Sequence, residues 1–193
     1  MKTLCTVLAF TSALAAASAQ TSGAALVSLL PAGAYTAPVT AADSGSGIAL
    51  IEVYDASTAA TPVLVNASTR AYVGTGDSVL IPGFVIGGEG TLRLLVRAVG
   101  PTLANFGVSN VLADPAMTLV RSGFALATND NWSGATNAAE IASTAAAAGA
   151  FALPAGSRDA AILMTLTPGA YTAVISGVGA TSGNALVEIY VVP

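Results

Sequence analysis

Histidine does not occur in this chain of 193 residues, and cysteine and lysine occur once each, as Cys5 and Lys2. These gaps remove most of the side chains that enzymes use for proton transfer and covalent attack: there is no imidazole, and the single thiol and single amine both lie within the first five residues. The nitrogen and sulfur ligands that zinc prefers are missing with them. Charge is scarce as well, at 8% of residues. The five arginines, Arg70, Arg93, Arg97, Arg121 and Arg158, are scattered singly. That pattern offers no basic stripe for nucleic acid and no cluster for an anionic membrane. Carboxylate chemistry of the glycosidase type is the one enzymatic class left open. It needs two acids converging in a cleft, whereas most of the ten acids here sit beside glycine, proline or asparagine in turn-like contexts. The chain is therefore read as non-catalytic, with a carboxylate hydrolase as the least favoured class.

The amino terminus has the layout of a secretory signal: Lys2, an apolar run over 4–16, then Ala17-Ser18-Ala19 ahead of Gln20. The run falls short of the ~20 apolar residues that a bilayer crossing requires. Cleavage after Ala19 is expected, and with it secretion to the cell surface or the extracellular space. Export would leave a domain without cysteine, held together by burial and backbone pairing rather than by disulfides. Loss of Lys2 would make the net charge one unit more negative than the −4 of the whole chain. A surface of Ser, Thr, Asn, Gly and Ala with so little charge repels other copies weakly and favours self-association.

Residues 160–190, AAILMTLTPGAYTAVISGVGATSGNALVEIY, restate residues 24–54, AALVSLLPAGAYTAPVTAADSGSGIALIEVY, without a gap and with fourteen of thirty-one positions identical. Such self-similarity marks a duplicated supersecondary unit. Each copy reads as strand, Pro/Gly turn, strand, glycine-rich loop, strand, which predicts a three-stranded meander. Strands are expected at 25–30, 34–39, 49–54, 63–66, 78–86, 91–99, 118–121, 124–128, 160–166, 170–176 and 185–192, each short and bounded by Gly, Pro, Asn or Asp. This spacing predicts an all-β, antiparallel sandwich of jelly-roll or immunoglobulin-like type. One Ala-rich helix is expected at about 135–148, capped by Ser133 or Thr136 and closed by Gly149, with a short turn from Pro101 to Phe106 ended by Gly107. The small-residue stretch 56–62, ASTAATP, reads as a linker. The organisation is then a signal at 1–19, an orphan meander at 20–55, the linker, and a sandwich domain at 63–193.

The densest polar cluster is Asn129-Asp130-Asn131-Trp132. Its oxygens are candidate calcium ligands, with Asp77 or Asp114 as further donors, although the run lacks the D-x-D-x-D-G spacing of a dedicated loop. An Asx turn leading into the following helix accounts for the same residues. Trp132 is a candidate sugar-stacking platform if exposed and a core residue if not. The runs at 73–77 and 87–90 are glycine-rich but precede strands rather than helices, so they are hairpin turns and not nucleotide loops. Glu52 and Glu188 recur at equivalent repeat positions; each is either solvent-facing or a partner for Arg93 or Arg97 across a sheet. Asn66-Ala67-Ser68 and Asn131-Trp132-Ser133 fit the acceptor pattern for N-glycosylation.

The strings STRAYVGTGDSVLIPGFVIGGEG, LLVRAVGPTLANFGV, LADPAMTLV, NDNW and PGAYTAVISGVG followed by ALVEIY resemble a repeat unit of large exported bacterial surface proteins. The last third is also similar, more loosely, to the bacterial pre-peptidase C-terminal type of β-sandwich. The resemblance implies an accessory β module outside the cell, with no catalytic residue to carry over. Two functional readings follow: a structural module that associates with itself or with neighbouring β modules, and a calcium- or glycan-dependent adhesion module using the Asn129–Trp132 turn.

Overall fold

The computed structural model describes residues 3–5, 24–28, 30–41, 45–54 and 64–193, with the backbone alone for 3–5. The rest of the expected signal and the whole of the expected linker at 56–62 lie outside the described residues. In chain order the elements are β1 (Thr3–Cys5), β2 (Asn66–Val73), β3 (Gly83–Gly87), β4 (Leu92–Val99), β5 (Pro115–Arg121), β6 (Phe124–Asn129), α1 (Ala138–Ala147), β7 (Ala160–Leu166), β8 (Gly169–Gly177) and β9 (Gly183–Val192). They form the expected antiparallel β-sandwich. One sheet runs β1-β3-β8-β5-β6 and the other β2-β9-β4-β7.

Alternation decides which side chains enter the space between the sheets. In β8, Tyr171, Ala173 and Ile175 point inward, and in β5 Met117 and Leu119 do. They meet Leu94 and Val96 of β4 and Val187 and Ile189 of β9 in one continuous core. β4 departs from strict alternation and is buried along nearly its whole length. The cause is a second layer: α1 lies across the outer face of the β2-β9-β4-β7 sheet, where Ile141 and Ala145 cover Leu95 and Ala161. A strand covered on both faces reads as an unbroken apolar run. The helix holds to its alanine-rich stretch, but its N-cap is Asn137 rather than Ser133 or Thr136, and no side chain bonds the open N–H groups there. A 3-10 turn spans Pro101–Phe106 as the Pro and Gly signals indicated, and Gly107 closes it at φ 77°. Just before it, Gly100 is required because a Cβ there would lie 2.1 Å from the carbonyl oxygen of Leu112.

Four expectations are corrected. The second repeat is not a meander in one sheet: β7 and β9 lie in one sheet and β8 in the other, so the chain crosses the sandwich twice. A unit built this way has no sheet of its own to carry away. The first repeat, in its described residues, supplies no strand to either sheet. The strand expected at 63–66 instead begins at Asn66 and runs to Val73, and the long strand expected at 78–86 is shortened to β3: Ser78 belongs to a 3-10 turn and Leu80 makes only an isolated bridge to Ile175.

Candidate functional site

An open cleft of about 730 Å³ lies where the free edges of β6 and β7 face each other, roofed by the turn that leads into α1. Its floor is Met117, Ile162 and Met164, and its rim holds Thr118, Asn129 and Asp130. This is where the structure gathers the polar cluster of the sequence. Asn129 Oδ1 accepts the Ala161 N–H at 2.9 Å, which closes the first edge position of β7, and its Nδ2 donates to the Asn131 carbonyl at 3.4 Å. Asn131 is the N-cap of the 3-10 turn Trp132–Gly134. The Asn129 side chain is thus engaged in holding local backbone, while that of Asn131 makes no capping bond and both Asp130 and Asn131 are exposed. Asp114, named as a further donor, is ion-paired with Arg158 at 2.9 Å, and Asp77 sits in the turn before β3. Among the described residues no group of three or more Asp, Glu, His or Cys is placed to hold a metal ion.

Trp132 belongs to the core under α1, 8% exposed. Its indole N–H donates to the Pro154 carbonyl at 3.2 Å and to Ser157 Oγ at 3.1 Å, as a buried indole requires. Its backbone N–H donates to the Asp159 carbonyl at 2.8 Å. Asp159 is fully buried although its neighbours, Ser157-Arg158, suggest a surface turn. Its carboxylate accepts the Gly100 N–H at 2.8 Å, the Thr102 N–H at 3.4 Å, the Ser157 hydroxyl at 2.7 Å and the Thr102 hydroxyl. The group ties the start of the Pro101–Phe106 turn to the start of β7. Burial of a carboxylate without a cation is tolerated only when its lone pairs are filled in this way.

A second buried polar knot sits on the outer face of the β2-β9-β4-β7 sheet. Arg97 and Glu188 stand directly opposite each other on β4 and β9. Arg97 is 0% exposed; its Nε donates to Glu188 Oε2 at 2.9 Å and its Nη2 lies 2.7 Å from the same oxygen, off the axis of a hydrogen bond. Its Nη1 donates to the Phe151 carbonyl at 2.6 Å, and the guanidinium stacks 4.4 Å above the Phe151 ring. Tyr190 donates its hydroxyl to Glu188 Oε1 at 2.7 Å. Burial, reinforced by the hydrogen bond and charge of Glu188 and opposed by Arg97, pushes the Tyr190 phenol well above its ordinary value. Of the two partners considered for Glu188, the geometry selects Arg97; Arg93 pairs with Glu140 of α1 instead. Both knots hold elements together, and neither lines the cleft between β6 and β7.

No family model and no curated protein matches the chain. Among solved structures it is similar to the pre-peptidase C-terminal domain of a collagenase from Bacillus anthracis, with 9% identity and a TM-score of 0.39 over 65% of this chain and 89% of that one.

Proposed function

We propose that this is an exported, non-catalytic β-sandwich module with a structural role, and that its first repeat is an assembly element that adds strands to the sandwich of a neighbouring copy. One observation carries the reading. In its described residues the first repeat supplies no strand to the sandwich and leaves most of its large apolar side chains in solvent, while equivalent positions of the second repeat build the core. Leu26 is 73% exposed and its counterpart Ile162 6%; Ile51 is 37% exposed and its counterpart Val187 1%. A stretch of apolar residues left in water calls for a cover, and short strands alone are marginal in water. The segment also keeps the local geometry of its twin. Tyr35 donates to the Pro31 carbonyl at 2.6 Å as Tyr171 does to that of Thr167 at 2.7 Å, and Tyr54 donates to Glu52 at 2.9 Å as Tyr190 does to Glu188 at 2.7 Å.

Light scattering coupled to size exclusion tests the reading on residues 20–193 and 63–193 over a concentration series. The shorter chain retains every residue of both buried clusters and is expected to be folded and monomeric, while the longer one associates as concentration rises. Two monomers of unchanged stability would refute it.

A further inference from the structure

We infer that residues 49–54 dock, antiparallel, on the open edge of β2 in a second copy of this chain, with Glu52 opposite Arg70. This rests on the assembly reading and names its seat.

The first repeat cannot simply take the place of the second. β8 lies between β3 and β5. The N–H groups of Ala173 and Ile175 serve the β3 side, donating to the carbonyls of Pro82 and Leu80. By the alternation of an antiparallel ladder, that of Val174 faces β5. The first repeat has Pro38 at that position, with no N–H to give. Addition at an edge remains.

β2 is the edge strand of its sheet. Val191 donates to the Val65 carbonyl, so the odd residues of β2 are bonded to β9 and the backbones of Ser68, Arg70 and Tyr72 face outward. Arg70 is exposed. Arg93, Arg97, Arg121 and Arg158 all have hydrogen-bond partners, and Arg70 has none among the described residues. The complementary strand must bond through residues on the solvent face and turn apolar residues to the inner face. Residues 49–54 meet both conditions. In β9 the inward residues are Ala185, Val187 and Ile189, and their counterparts are Ala49, Ile51 and Val53. Setting Glu52 against Arg70 places Ile51 beside Ala71, Val53 beside Thr69, and Leu50, 84% exposed, beside Tyr72, 56% exposed. It reproduces the cross-strand pair that Arg97 and Glu188 make between β4 and β9. Glu52 already carries its tyrosine partner, Tyr54, as Glu188 carries Tyr190. The segment is tethered to its own sandwich yet gives it no strand, so the seat is assigned to a second copy; exchange in both directions closes a two-fold dimer.

Disulfide trapping tests the register in the full chain carrying Cys5→Ser, which has no native thiol. Chains bearing Leu50→Cys are mixed with differently tagged chains bearing Tyr72→Cys. Directly opposed residues in such a ladder have Cα atoms about 5.5 Å apart, within disulfide range. A mixed-tag covalent dimer is expected in greater yield than from Leu50→Cys with Arg70→Cys, which is out of register. Glu52→Arg should weaken association roughly two- to fivefold, and Glu52→Arg with Arg70→Glu should restore it. A dimer with no register-specific trapping would overturn the seat and leave the assembly reading standing. A cross-link formed only within one chain carrying both cysteines would overturn the second copy as occupant. A monomer with no trapping would overturn the seat and the assembly reading together.

Discussion

Arg97 illustrates how one buried cation shapes its surroundings. It is satisfied by Glu188, by a carbonyl and by an aromatic ring. Arg97→Met strands a buried carboxylate and is expected to cost about 3–5 kcal/mol in urea unfolding, while Arg97→Met with Glu188→Leu should recover most of the loss. Tyr190 ties the same knot to pH. Its phenol is held above the ordinary 10.0 in the folded chain, so the folded state keeps a proton that the unfolded state gives up. That stabilisation is complete below the unfolded value and is lost as pH rises beyond it. Melting temperature should therefore fall above about pH 10, and Tyr190→Phe should flatten that part of the profile. Asp159 acts at a second point. Asp159→Ala leaves two backbone N–H groups and two hydroxyls without their acceptor, and a loss of about 3 kcal/mol or more is expected by the same unfolding assay.

At the scale of elements, α1 stabilises by covering a sheet face, not by its own caps. Ile141 is its main anchor, and Ile141→Ala should cost about 2–5 kcal/mol, read from chemical denaturation with circular dichroism. Legibility in the sequence follows the same division. β7, β8, β9 and α1 were readable because each carries a strong local signal: alternation between glycines for the strands, an alanine run for the helix. β2 was less readable, since Ser68, Thr69 and Arg70 break the apolar pattern; they occupy an edge strand. The glycine-rich run 73–77 is legible as a turn, but the turn extends to Ser78 and the strand after it begins only at Gly83. What local pattern could not supply was sheet membership. Nothing in the spacing of β7, β8 and β9 says that the middle one crosses to the opposite sheet, because each is equally apolar on one face. The burial of Asp159 was hidden for a related reason: its partners Gly100 and Thr102 lie more than fifty residues away. The Asn129–Trp132 cluster runs from the end of β6 into the 3-10 turn Trp132–Gly134 without a side-chain cap, and its tryptophan is core.

At the scale of the molecule, the sandwich and its helix lie within residues 64–193, while the described residues of the first repeat supply no strand to it and leave Leu26, Val27, Ile48 and Leu50 exposed. Both buried clusters lie within the sandwich, so removing residues 20–62 should leave the midpoint and cooperativity of unfolding nearly unchanged at low concentration, where copies are apart. No helix among the described residues is long and apolar enough to cross a membrane. Site-resolved amide exchange compares the outward N–H groups of Ser68, Arg70 and Tyr72 in residues 20–193 and 63–193 at a concentration that favours association. Slow exchange in the longer chain and fast exchange in the shorter one is the predicted result, since only a seated strand would protect that edge. Equal, fast exchange in both would contradict the account.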